Sequence, residues 1–195
     1  MIVGYHLIWG AYGFWLPNDP RGSWSSYVGS LDLYRAGGEA TKTDARHSVA
    51  SAPHDRAARL AAKQAFQRPP VRFTGIQARA VGRGFADYAR ESYLPVWACA
   101  IMPDHVHLVI GRAHIPAERV VQQLKAAATY QLRTERIHPF QDETSQKCWA
   151  QGEWIVYLDP NDVERANVYV EQNPLKDGLP RQHWPFVAKP EYALT

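Results

Sequence analysis

His105 and His107 stand two residues apart in PDHVHLVIGR, a segment that alternates in polarity. On a β-strand that spacing projects both imidazoles from one face and sends Val106 and Leu108 into the other. Two neutral imidazoles on one side of a rigid strand can grip a divalent cation. A solvated face that happens to carry two histidines is the commoner meaning of an isolated His-x-His. Here Pro103-Asp104 forms a short turn that holds the pair at the start of its strand, where a sheet commonly presents a site. A second candidate is Tyr169, although a rim tyrosine with a solvated hydroxyl is the commoner fate of an isolated Tyr on a helix. On a helical wheel Val163, Ala166 and Val170 form an apolar arc, and Tyr169 lies at its flank with Arg165 and Asn173 as neighbours. A phenol is a poor nucleophile at neutral pH unless a nearby cation stabilises its phenolate. Among other tyrosines, Tyr157 reads as structural within the strand WIVYL, and Tyr130 on a long helix is the alternative nucleophile.

The elements that must position these groups follow from periodicity. IVGYHLIWGAYGFW reads as a strand and runs into LPNDPRGSWSSYVGS, where Pro17, Pro20 and Gly22 forbid regular structure. Residues 31–56 are polar and poorly periodic. Helices are expected at about Asp55–Gln67 and Thr74–Glu91, the second weakened by Gly82 and Gly84. LPVWACAIM and HVHLVIGR form an antiparallel hairpin. Pro116 opens a long helix, Glu153–Leu158 is a strand, and Asp159 caps a final helix that Pro174 and Gly178 close. Strand, helix, strand, strand, helix, strand, helix is an α+β order: one antiparallel sheet with helices on a face.

Length and composition agree with a single domain spanning 1–195, with 31–70 as an insertion. Hydrophobic residues make up 46% of the 195, enough for a core, and no run is long and apolar enough for a membrane span or a secretory signal. Cys99 and Cys148 are far apart, so a disulfide scaffold is a poor fit and a reducing cytoplasm is the natural setting. Net charge is only +3, from 22 basic against 19 acidic residues, too little to announce nucleic acid. Most of the basic residues are arginine, which binds planar anions and stacks on bases. With seven Trp and ten Tyr the chain carries the ingredients of a single-strand binder. Arg21, Trp24, Arg72, Lys125, Arg133 and Lys176 are the positions expected near nucleic acid.

MPDHVHLVI resembles the HUH signature of single-tyrosine HUH transposases, in which U is a bulky apolar residue, here Val106. YVEQNPLKDG is similar to the segment that carries that family's nucleophilic tyrosine. Its pattern, Y-[IV]-x-x-N-P-x-[KR]-x-G, is closest to the REP-associated tyrosine transposase branch, and GFWLPNDPRGSWS looks like the start of a subgroup. The matches reach from near residue 5 to about residue 187, with residues 31–70 unaligned.

The resemblance implies a ferredoxin-like antiparallel sheet with the histidines on a central strand. It implies Mg²⁺ or Mn²⁺ held by His105 and His107, with Asn173 as third ligand and Gln172 as the alternative. Asp104 is a further candidate, though a turn Asp needs no metal, and Asn173 also suits a helix C-cap. Tyr169 is then the nucleophile of a single-stranded DNA endonuclease and strand-transferase. It forms a covalent 5′-phosphotyrosine intermediate, at DNA hairpins. The implied protein is a monomer or homodimer, cytoplasmic, and nucleoid-associated when bound to DNA. The competing readings are a domesticated, non-catalytic hairpin-binding protein and a hydrolase using a metal-activated water; the latter leaves Tyr169 without a role.

Overall fold

The computed structural model describes residues 1–16, 19, 28, 31–40, 55–66, 68–141 and 146–190. The chain divides into two compact units, one formed by Met1–Tyr12 with Val71–Thr195 and the other by Gly13–Pro70. The second unit contains the 31–70 segment. It holds two short helices, α1 (Leu31–Gly37) and α2 (Arg56–Gln64), packed on each other. Asp55 caps α2 by accepting from the Ala58 N–H at 3.0 Å. Helix α1 falls in the stretch whose polarity hides any period; seven residues give too few turns to display one.

The larger unit runs β1 (Gly4–Gly10), α3 (Gly75–Glu91), β2 (Val96–Ile101), β3 (His105–Gly111), α4 (Ala117–Thr134), β4 (Trp154–Leu158) and α5 (Pro160–Lys176). All adjacent strands are antiparallel, in the order β2-β3-β1-β4. This is the ferredoxin-like arrangement: β1 and β3 lie in the centre, and α3 and α4 are the crossovers. Leu7, Trp9, Val106, Leu108 and Ile110 face α3 and α4 in the main core. Trp97, Ala100, Met102 and Val109 face the other way and pack with Val163, Ala166 and Val170 of α5. The single-face expectation thus holds for α3 and α4, while α5 covers the opposite face.

Gly82 and Gly84 do not weaken α3; they let it be approached. A Cβ at Gly84 would come within 2.7 Å of the Ala127 carbonyl oxygen of α4, and one at Gly82 within 2.2 Å of the Trp184 ring. At the far end of the sheet Gly4 pairs with Gly111, and the Trp97 indole lies across both: added Cβ atoms would meet it at 2.6 and 2.8 Å.

Helices α3, α4 and α5 end alike. The N–H two residues past each cap reaches back five residues: Leu94 to Ala89 at 2.9 Å, Ile137 to Leu132 at 2.9 Å, Leu179 to Pro174 at 2.8 Å. This Schellman closure needs a left-handed residue, supplied by Tyr93 (φ 52°), Arg136 (φ 57°) and Gly178 (φ 70°). Helix α5 also runs through Pro174 to Lys176 rather than stopping at the proline. Pro174 is buried and its missing N–H falls in the last turn. Among the described residues no helix is long and apolar enough to cross a membrane.

Candidate active site

Strand β3 presents His105 and His107 on the sheet face covered by α5. The face is less open than two histidines on a strand suggest: His107 is 6% exposed. Strand β1, paired alongside, adds a residue that spacing gave no reason to choose. His6 pairs with Val109 and His107 with Ile8, so His6 and His107 are diagonal neighbours on the same face. His6 Nε2 lies 3.0 Å from His107 Nδ1. Burial pushes the His6 imidazole down to about 4. Burial also holds His107 well below its ordinary value, helped by the positive fields of His105, His6 and Lys176. Both rings are neutral at physiological pH.

His105 is tied in a similar way. Its Nδ1 meets the Asp104 carboxylate at 2.7 Å, and Arg72 anchors the other Asp104 oxygen at 3.1 Å. Asp104 therefore backs His105 through its carboxylate. Arg72, expected near nucleic acid, stands beside the site with most of its side chain in solvent.

Tyr169 closes the group from α5. Its ring is edge-on to His107 at 5.6 Å and to His6 at 5.9 Å, and 44% of the residue remains exposed. Lys176 lies over the same ring, its Nζ 4.6 Å from the centroid. Tyr130 and Tyr157 are not brought here. Tyr130 is exposed on α4, on the other side of the sheet. Tyr157 is exposed rather than buried, its ring edge-on to Tyr5 on the α3/α4 face.

Asn173 follows Tyr169 by one helical turn. It is not the C-cap, which is Asp177. Its Nδ2 is buried and without a hydrogen-bond partner. Gln172 is exposed, and the continuous helix gives no fraying that would bring it inward. Among the described residues no three His, Cys, Asp or Glu side chains converge as a metal site. A divalent ion here would take two imidazole nitrogens and complete its shell with an amide, water or phosphate oxygens. That donor set fits a hard ion that keeps several oxygen ligands. An unpartnered buried amide, which presents its oxygen after a half-turn, also fits.

Of the remaining positions expected near nucleic acid, Lys125 is structural. Its ammonium is mostly buried on the Ala150 and Gly152 carbonyls, at 3.2 and 2.8 Å, with Glu153 at 3.5 Å. Arg133 donates to the Gln146 carbonyl at 3.1 Å. Arg21 and Trp24 lie outside the described residues.

A ferredoxin-like sheet that brings two histidines of a central strand against a helix tyrosine is the architecture that the sequence resemblance implies. The model of the family "Transposase IS200 like" matches residues 67–173, more than half of the chain, and the chain belongs to that family. The matched span contains His105, His107 and Tyr169 but not His6. Among solved structures, a protein from Deinococcus radiodurans assigned as a transposase is similar over 88% of this chain and 91% of its own, at 16% identity and TM-score 0.45. A REP-associated tyrosine transposase bound to a REP hairpin is similar over 95% of this chain and 76% of its own, at 12% identity and TM-score 0.48. None of the curated proteins compared with the chain matches it.

Proposed function

We propose that the protein is a divalent-metal-dependent endonuclease and strand-transferase for single-stranded DNA, with Tyr169 as nucleophile. The observation that carries this reading is the edge-on approach of Tyr169 to His107, 5.6 Å between ring centroids, with the Lys176 ammonium over the phenol. The other candidate tyrosines, Tyr130 and Tyr157, are exposed on the α3/α4 side of the sheet.

The phenolic oxygen attacks the scissile phosphorus. A Tyr169–phosphorus bond forms as the bond to the 3′ oxygen breaks, the phenol proton passes to solvent, and the departing oxygen is protonated to a 3′-hydroxyl. The 5′-phosphate stays on Tyr169, so a 3′-hydroxyl can attack it later, restore the phosphodiester and return the phenol without ATP. Mg²⁺ or Mn²⁺, held by His105, His107 and the Asn173 amide, would supply Lewis-acid stabilisation of charge on the transferring phosphoryl group. Asp104 and Arg72 orient His105, and Lys176 offers a cation to the adjoining phosphate.

Substrate choice rests on the YVEQNPLKDG segment, whose likeness to the REP-associated branch favours a folded hairpin. The setting is cytoplasmic, with nucleoid association through DNA. A purely binding role would leave a tyrosine, two histidines and a lysine converged without purpose. The test is incubation of the protein with Mn²⁺ and a labelled single-stranded hairpin, followed by denaturing electrophoresis. A protein band shifted by covalently attached DNA is expected. Binding without cleavage would favour the hairpin-binding alternative.

A further inference from the structure

We infer that His6 is a positioning residue for His107: its Nε2 accepts the His107 Nδ1 proton and so fixes the tautomer that leaves the His107 Nε2 lone pair for a cation. The inference rests on the proposed function, and it concerns a residue outside the family-matched span.

Two ring nitrogens 3.0 Å apart share one proton. If His6 donates, His107 carries its own proton on Nε2 and has no lone pair left to coordinate with. If His107 donates, its Nε2 lone pair is available. Only the second arrangement is compatible with a metal ligand at position 107. The structure holds the pair where this choice can be imposed. His6 is 8% and His107 6% exposed, so water cannot readily replace either partner. The β1–β3 register sets their spacing through backbone pairing rather than through a flexible side chain. Asp104 makes the matching contact to Nδ1 of His105, so each histidine of the pair has that nitrogen occupied, one by a carboxylate and one by an imidazole. Metal-bound histidines ordinarily have their second nitrogen held this way. His6 differs from the usual carboxylate or carbonyl in being neutral and buried, so it orients His107 without adding negative charge to a site that must admit a phosphodiester.

The test reads the tautomer directly. In ¹⁵N-labelled, metal-free protein, a long-range ¹H–¹⁵N correlation spectrum should show His107 protonated on Nδ1. His6→Phe keeps an aromatic ring but removes the acceptor. It should move His107 toward the Nε2–H form and weaken Mn²⁺ binding, measured by calorimetry, by about 10- to 100-fold. His6→Gln restores an acceptor oxygen and should recover most of that affinity. A wild-type His107 protonated on Nε2 overturns the inference, as does a His6→Phe protein with unchanged tautomer and Mn²⁺ affinity. The wild-type spectrum and His6→Gln decide the matter even if His6→Phe does not fold. The tautomer is read without metal or DNA, so the two readings fail separately. Nδ1–H His107 in a protein that never forms a DNA adduct defeats the proposed function. Nε2–H His107 in a protein that does form one defeats the role of His6.

Discussion

The Lys176 ammonium sits over the Tyr169 ring although seven residues separate them, because α5 continues through Pro174 for a last turn. Had the helix stopped at the proline, Lys176 would have left the face that carries Tyr169. Lys176→Gln is expected to lower the salt slope of hairpin binding by about one and to slow adduct formation at least tenfold, on the order of 1.4 kcal/mol. Thermal midpoint should hardly move, since the side chain is at the surface. An unchanged salt slope would show that Lys176 meets no phosphate.

Tyr169→Phe removes one oxygen from a half-exposed ring and leaves the edge contacts to His6 and His107 in place. Hairpin affinity should stay within about twofold, because packing is conserved. The covalent adduct should vanish, while Tyr130→Phe and Tyr157→Phe keep it. Mass analysis of the wild-type adduct should place the DNA on the peptide containing VYVEQNPLK. An adduct that persists in Tyr169→Phe and is lost in Tyr130→Phe would move the chemistry across the sheet.

His105→Ala and His107→Ala should both abolish cleavage, as should EDTA, with Mn²⁺ restoring the wild type alone. The two substitutions should differ in stability. His107 is buried under α5 and hydrogen-bonded to His6, so its removal should cost about 1–3 kcal/mol in urea denaturation. His105, nearer the rim, should cost less. Full cleavage in EDTA would remove the metal from the mechanism.

His6, His107 and His138 all have imidazoles pushed below the ordinary value of 6.5, chiefly by burial. In each case the unfolded chain takes up a proton before the folded one does as pH falls. Their contribution to stability is therefore constant above about pH 7 and declines as pH drops through 6.5; for His6 the decline continues to about pH 4. His138 is remote from the site, with Nδ1 accepting from the Phe140 N–H at 3.2 Å. His138→Gln should flatten part of the decline between pH 7 and 5 in metal-free protein, measured by urea midpoints. Parallel profiles for variant and wild type would rule His138 out as a contributor.

Tyr93 and Arg136 hold left-handed backbone at the ends of α3 and α4, where Gly178 serves α5. A non-glycine residue there carries roughly 1 kcal/mol of strain. Tyr93→Gly, at a residue 91% exposed, should raise the thermal midpoint by about 2–4 °C. A fall would show that the tyrosine ring makes a contact worth more than the strain.

The sheet and its crossovers were legible because the apolar alternation of β1 and β3, the Pro103-Asp104 turn and the Asp159 cap are local signals. The His105/His107 pair and Tyr169 could be read for the same reason. His6 was hidden. It is a lone histidine in an apolar strand, and only the β1–β3 register, a relation over 101 residues, gives it a partner. The continuation of α5 was hidden because a proline near a helix end usually marks a stop, whereas burial of Pro174 and the closure on Gly178 carry the helix past it. The partners of Lys125 were hidden as well, because nothing near it in sequence shows the Ala150 and Gly152 carbonyls that hold it.

The glycine pair beneath Trp97 has a consequence for when the molecule can act. With Gly4 opposite Gly111, no bulkier neighbour of Gly4 fits under the indole, so β1 is held to one register. A one-residue slip would send His6 to the α3/α4 side and bring an apolar residue beside His107. The same steric lock that aligns the core therefore aligns the nitrogen facing His107. A chain folded out of step is unarmed: it carries the tyrosine and both histidines of the motif but lacks the arrangement that lets them cut.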